Sequence, residues 1–482
     1  MIAELAITLL LVSSGLGVLS SLHTIPAPAR VWLAAPIGAA VYMLVSLLLF
    51  FLNGTLRPGV ALVTAALFGL IGTVVAIVRN WWDRRSLVWA GTALAIAVVA
   101  VLLARTIHLT RLTSDSLQYL AISTNIRLPD AIDQLGSFFL LQRQIGLPSL
   151  HSLWEFTDRR YLASIGPMFG VSCVGLFVWL TWRATGKISP HRAWLALTSA
   201  LLLVTSNRLV YDFFYINTHI EMATFLLIAI AGAWLALLTD SPAWAVPAGL
   251  ALAATMLLRP EAPLVVAIVL VAVAATRAPM TIRLAMTIPS AFVVAVWYGG
   301  LLLFNVGTAD TLAVLGNLGA VLAAALLTLL GGLSRLRGLV RHSGWLMLVV
   351  LALGLAALGV RNPDVLVDSF IATSRNLLSE GRWLITWPAV LVLGIVALAV
   401  HRIPEGRLWT TSIMGFGVLF WLLPLLREVA FRVGTGDSGN RILAHFLPVV
   451  VTFIVLAAVD RWPETHEPPA VSYSAGLSSD SG

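Results

Sequence analysis

Charge is what this chain has least of. Of its 482 residues 11% are charged and 59% hydrophobic, with a mean hydropathy of +0.94. A soluble domain carries about a quarter charged residues, so this one cannot cover a water-facing surface. Lysine is almost missing as well: of 30 basic residues only Lys187 is a lysine. The arginines stand singly between apolar runs, with no basic run or aromatic-interleaved patch. The formal charge of +8 therefore fits a membrane-surface role, with no nucleic acid partner. The single cysteine, Cys173, excludes an internal disulfide and a Cys/His metal cluster. No Walker A sequence occurs, which removes the engine of an ATP-driven pump. The opening stretch MIAELAITLLLVSSGLGVLS has Glu4 and no Lys or Arg, so a retained first span is expected rather than a cleaved leader.

What remains is apolar helix. Runs near 20 residues recur from end to end, each long enough to cross a hydrocarbon core of ~30 Å. They fall at about 2–22, 31–52, 59–78, 87–105, 162–182, 193–208, 218–239, 244–258, 260–276, 282–304, 311–333, 343–360, 383–400, 408–426 and 441–460. The expected fold is an all-α polytopic membrane protein with about 13–15 transmembrane helices and a large outer loop, 106–161, carrying amphipathic interfacial helices. In DAIDQLGSFFLLQRQ, Ile132, Leu135 and Phe139 form a stripe at i, i+3, i+7, with Asp130, Asp133 and Gln134 off it. Segment 361–382 mixes apolar and charged residues in a similar way. From Pro463 the chain is rich in Pro, Ser and Glu and reads as a disordered tail.

Threading these spans alternately through a bilayer puts the short loops 79–86, 183–192 and 334–342 on one face. The segments 106–161, 361–382 and 427–440 lie on the other, with fifteen of the 22 acids. Short arginine-bearing loops orient a membrane protein and long loops do not, so the short-loop face is expected in the cytoplasm. The expected location is the plasma membrane, multi-pass, with the reactive chemistry and active site facing outward and the tail inside.

Two motifs fail on context. GTGDSGN, 434–440, matches G-x-G-x-x-G and resembles the surroundings of a protease serine. It sits between membrane spans, where neither a βαβ unit nor a partnered serine scaffold can be built.

One constellation survives. In RLTSDSLQYLAIS, 111–123, Asp115 and Tyr119 are four apart and share a helical face just past a span. A carboxylate in a first turn also satisfies a helix dipole with no further role. Three features on the same face add weight. In MLLRPEAPL, 256–264, Pro260 ends an apolar run of about 15 residues, or ~22 Å, too short for the core; Arg259 and Glu261 are therefore expected below the outer interface, where they could equally pair with each other. NRLVYDFFYINTHIEM, 207–222, holds Asp212, Asn217, His219 and Glu221 in a short outer turn, although a lone His there is more often structural. GDSGNRIL, 436–443, brings Asn440 and Arg441 into the last span from outside. Such a basin of acid and arginine suits attack on a sugar linked through phosphate to a membrane lipid. A carboxylate takes the proton of an acceptor hydroxyl, and arginines neutralise the departing phosphate.

These stretches resemble the GT-C superfamily of integral-membrane glycosyltransferases. The resemblance rests on the D-x-x-x-Y of TSDSLQYLAIS in the first large outer loop, the arginine-bearing break of GLALAATMLLRPEAPL, the arginine-led late span, and RQIGLPSLHSLWEFTDRRYLASIGPMF leading back into the bundle. It covers roughly 87–305, with weaker support to 460. It implies an accessory bundle at 1–86, a catalytic core at 87–305, a C-terminal bundle at 306–462 and the tail at 463–482. It implies Asp115 as catalytic base, Arg259, Arg441 and Arg111 as contacts for the donor phosphate, and Tyr119, Asp212, Asn217, His219, Glu221, Glu261 and Asn440 around the substrate. The donor would be a polyprenyl-phosphate-linked sugar, the acceptor an envelope glycan, lipid or protein. Some members bind a divalent cation (Mg or Mn), but the loop here has one Asp where the family carries an acidic pair, and four spans precede it where the family core often has one. The competing readings are a transporter or flippase of lipid-linked glycans and a non-catalytic membrane assembly subunit. A transporter predicts charge at the midplane of several spans and an internal repeat.

Overall fold

The computed structural model describes residues 1–129, 131–134, 143–185, 192–304 and 308–461. The chain is a helical bundle, and no strand occurs among the described residues beyond one isolated bridge between Arg111 and Tyr215. In chain order the helices are α1 Ile2–Ser20, α2 Ala27–Asn53, α3 Pro58–Val78, α4 Arg84–Thr106, α5 Ser114–Asn125, α6 Gly146–Ser152, α7 Ile165–Ala184, α8 Arg192–Val204, α9 Asn207–Phe213, α10 His219–Thr239, α11 Pro242–Met256, α12 Ala262–Ala274, α13 Met280–Leu303, α14 Thr308–Leu330, α15 Arg337–Val340, α16 Ser343–Arg361, α17 Pro363–Arg375, α18 Thr386–Val400, α19 Arg407–Leu426 and α20 Ser438–Arg461.

Eleven helices of the described residues are long and apolar enough to cross a membrane, and α8 with α9 forms a further pair bent by 77°. The shorter apolar helices α11, α12 and α18 account for the remaining expected spans. This is the architecture of a polytopic membrane protein: with no water in the hydrocarbon, each segment satisfies its own backbone within a helix. Helix α3 is 33% and α16 17% buried, and both turn rows of exposed large apolar residues outward, Val63, Leu67, Phe68 and Ile71 on the first and Trp345, Leu346, Val349 and Leu353 on the second. The expected tail from Pro463, Leu135 and Phe139 of the expected interfacial stripe, and Asp130 beside it lie outside the described residues. Ile132 of that stripe falls in a short 3-10 turn, Ala131–Gln134, where its N–H donates to Gly54 O at 3.0 Å.

Small residues let the first three spans close on one another, as membrane helices do when no hydrophobic force separates lipid from protein. A Cβ on Gly38 would lie 1.8 Å from the Leu11 carbonyl oxygen, and one on Gly17 would lie 1.9 Å from that of Gly69. Helix α2 also packs against α4, α7 and α11, so these spans share one core with the middle of the chain. Glu4, buried in α1, accepts from the Ser164 N–H at 3.0 Å and pairs with Arg105 Nε at 3.3 Å.

The segment between α4 and α7 folds back into this bundle. All seven residues of α6 are buried. Its first N–H, on Gly146, donates to Leu257 O at 2.7 Å, in the break between α11 and α12. Glycine is required there because a Cβ would sit 2.5 Å from that same oxygen and 2.4 Å from Met43 Cε. Helices α11 and α12, at 15 and 13 residues, are about 22 and 20 Å long, and the break between them holds Arg259 and Glu261 buried.

Candidate active site

Asp115 sits in the first turn of α5, which a reciprocal Thr113–Ser116 capping box starts. The Ser116 hydroxyl donates to Ile216 O at 3.0 Å, and the backbones of Arg111 and the 214–216 turn exchange hydrogen bonds, so the turn after α9 carries α5. One Asp115 oxygen accepts from Arg143 Nη2 at 2.8 Å. The other pairs with Arg441 Nη1 and accepts from the Tyr215 hydroxyl at 3.3 Å. Half-burial pushes this carboxyl up, but Arg441, Arg143 and Tyr215 outweigh it and hold it below the ordinary 3.8, so Asp115 is ionised at neutral pH.

The carboxylate lines a cavity of about 420 Å³ whose wall also holds Arg208, Arg382, Arg441, Tyr211, Tyr215, Asn207 and Thr435. Three guanidiniums thus face one carboxylate. Arg441, in the first turn of α20, donates from Nε to Gly436 O at 3.0 Å while reaching Asp115. Arg208 Nη1 donates to Thr435 O at 2.8 Å, which leaves its Nε and Nη2 without hydrogen-bond partners among the described residues. Arg382 projects from a turn held open by positive φ at two non-glycine residues, Arg382 (59°) and Leu384 (52°). Such backbone is strained and persists where its surroundings impose it. Here the clamp is Asn440: it accepts from Trp383 Nε1 at 2.8 Å and donates to Gly434 O at 2.8 Å. Asp437 accepts from the Arg432, Gly439 and Asn440 N–H groups and starts α20, which is what GDSGN does in this fold.

Behind the cavity lies a second, buried layer. Tyr119 is 1% exposed, and its hydroxyl lies 3.5 Å from Asn217 Oδ1 and 3.4 Å from Thr218 Oγ1. The Arg143 guanidinium lies over its ring at 5.4 Å, so Asp115 and Tyr119 share an arginine as well as a helical face. His219 Nδ1 meets His445 Nε2 at 2.8 Å. Arg259 Nε donates to Glu261 Oε1 at 2.7 Å, and Arg427 takes the other Glu261 oxygen at 2.9 Å. Arg259 therefore sits in an ion triad, within electrostatic reach of Asp115 and Tyr119 but not in the cavity wall. Asp212 is buried with Arg208 Nη2 at 3.3 Å, and Glu221 Oε2 has no hydrogen-bond partner among the described residues.

Of the residues singled out by sequence, Asp115 and Arg441 meet in the cavity, and Tyr119, Asn217 and Asn440 support it. Asp212, His219, Glu221, Arg259 and Glu261 form the buried layer. Arg111 contributes backbone, and its side chain is exposed. Arg143, Arg208, Arg382, Tyr215 and His445 were not singled out. No three His, Cys, Asp or Glu side chains converge among the described residues, and guanidiniums flank the Asp115 carboxylate. The arrangement suits an anionic group, with a carboxylate beside it able to receive a proton. No protein-family model matches the chain, and neither a curated protein nor a solved structure matches it.

Proposed function

We propose that the protein is a membrane glycosyltransferase that moves a sugar from a polyprenyl-phosphate donor to an envelope glycan, lipid or protein acceptor outside the plasma membrane. The observation that carries this reading is one carboxylate, Asp115, at the edge of a cavity walled by three arginines, in a bundle whose outer faces are lipid-compatible. The donor phosphate occupies the space among Arg208, Arg382 and Arg441. An acceptor hydroxyl attacks the anomeric carbon, the bond from that carbon to the phosphate oxygen breaks, and the phosphate leaves with the electron pair. The hydroxyl proton passes to Asp115. The arginines stabilise charge that grows as the phosphate departs. A carboxylate paired to two arginines is a weak base; phosphate binding draws Arg441 away and raises its basicity at the moment it is needed.

The test compares lipid-linked sugars and envelope glycans in cells carrying wild type, Asp115→Asn or no copy, at matched membrane levels. The expected result is that Asp115→Asn reproduces the deletion profile and a lipid-linked sugar accumulates. A wild-type profile for Asp115→Asn beside a clear deletion phenotype would move transport or an assembly role ahead.

A further inference from the structure

On the face opposite Asp115, three helix ends meet. Helix α12 starts at the Glu261 triad and ends 13 residues, or about 20 Å, away at Ala274. There it meets the starts of α16 and α19. Gly344 marks the contact: a Cβ on it would lie 3.5 Å from Ala275 Cβ and 3.1 Å from the Thr411 side chain. Between the ends is a polar cavity of about 290 Å³ whose wall includes Arg277, Arg341 and Arg407 against the one carboxylate of Glu405. None of these arginines pairs with an acid among the described residues. The cavity also lies at the N-terminal end of α19, a 20-residue helix, where the backbone dipole adds to the positive field.

A large apolar groove adjoins it. Between α12, α14 and α16 lies a space of about 870 Å³ with almost wholly apolar walls, among them Val271, Ala323, Leu327 and Leu346. The two spaces share an edge: Val271 is one turn before Ala275, and His342 of the groove follows Arg341 of the cavity. The groove opens on α14 and α16, spans that are 28% and 17% buried.

We propose that this composite is a binding site for an anionic phospholipid of the phosphatidylglycerol kind, with the phosphate among Arg277, Arg341 and Arg407 and an acyl chain in the α12–α14–α16 groove. Neither half accounts for the other's chemistry: a free phosphate has no use for the groove, and a neutral lipid none for three unpaired guanidiniums. The site is separate from the Asp115 cavity and does not depend on the reading given to it.

The experiment uses the full chain in nanodiscs of phosphatidylglycerol and phosphatidylcholine at equal amounts, and counts lipids retained on the protein by native mass spectrometry. Wild type is expected to keep about ten phosphatidylglycerol molecules for each phosphatidylcholine. The triple variant Arg277→Gln, Arg341→Gln, Arg407→Gln is expected to lose that preference. Ala323→Trp, which fills the groove from an exposed position and leaves every arginine in place, is expected to lose it too. Excess inorganic phosphate is expected to leave the retained lipid in place. Adducts that mirror the bilayer, or a preference that survives the triple variant, overturn the proposal. So does displacement by inorganic phosphate together with an unchanged Ala323→Trp, which makes the cavity a plain phosphate site.

Discussion

Asp115 and Arg441 are 326 positions apart in the chain and meet in the fold, where the Arg441 guanidinium donates to an Asp115 carboxylate oxygen. That single contact ties the long segment after α4 to the last span, and it sets the sharpest expectation for a substitution. Arg441→Gln removes a guanidinium from the cavity and one of the two holding Asp115, so transfer is expected to fall by about a hundredfold or more, the usual scale for losing one preorganised charge contact. Arg441→Lys, which keeps charge but not the fork that spans Gly436 O and Asp115, is expected to recover only part of it; turnover of the two purified variants decides. A second residue sets a pH dependence. His151 is buried in α6, accepts from the Leu162 N–H at 3.3 Å, and is pushed down to about 3 by burial. Its folded form stays neutral while the unfolded chain takes a proton below about 6.5. Stability from this group is therefore complete above that pH and declines as the pH falls toward 3. An apparent Tm measured from pH 7 to 4 is expected to drop less in His151→Gln than in wild type. Residues like these were only partly legible. Asp115, Tyr119 and Arg441 stand out because polar residues at the edge of an apolar run are conspicuous on their own. Arg208 reaches Thr435 across 227 positions, and nothing local in NRLVYD announces that.

At the scale of elements, the break between α11 and α12 does the positioning. Pro260 and the short run before it lead to the expectation of a recessed Arg259 and Glu261, and the structure has both side chains buried. Arg259 takes Glu261, the local pairing the sequence already allowed; Arg427 on the other Glu261 oxygen depends on how α19 docks, which no periodicity encodes. The break stays in place because α6 donates to it through Gly146. Gly146→Ala is accordingly expected to destabilise the protein by about 1–3 kcal/mol, through a forced backbone shift and a lost buried hydrogen bond. Gly91→Ala on α4, where a Cβ would meet nothing within 4 Å, is expected to be neutral or slightly stabilising. Thermal unfolding of the two variants side by side checks both. The spans themselves were readable because hydrocarbon forces helix on any long apolar run. The burial of α6 was not, since GLPSLHS has no apolar run long enough to signal it.

For the molecule as a whole, polarity is organised into two opposed ends of an apolar bundle. One end gathers Asp115, its three-arginine cavity and the buried ionic layer behind it; the other gathers Arg277, Arg341 and Arg407 beside a lipid-sized groove. Composition alone established the membrane class, because so few charges leave no alternative. The joining of distant turns into one cavity is a property of the complete bundle: α5, the turn after α9, the turn before α18 and the start of α20 each supply one wall. The most direct measurement of the central claim is release of polyprenyl phosphate by the purified protein in detergent, supplied with polyprenyl-phosphate sugars and candidate acceptors, where moving a lipid across a membrane has no meaning. The account predicts release by wild type, coupled to a glycosylated acceptor and lost in Asp115→Asn. Release that is undiminished in Asp115→Asn, or its absence from a folded wild-type protein that still rescues the deletion in cells, would contradict it.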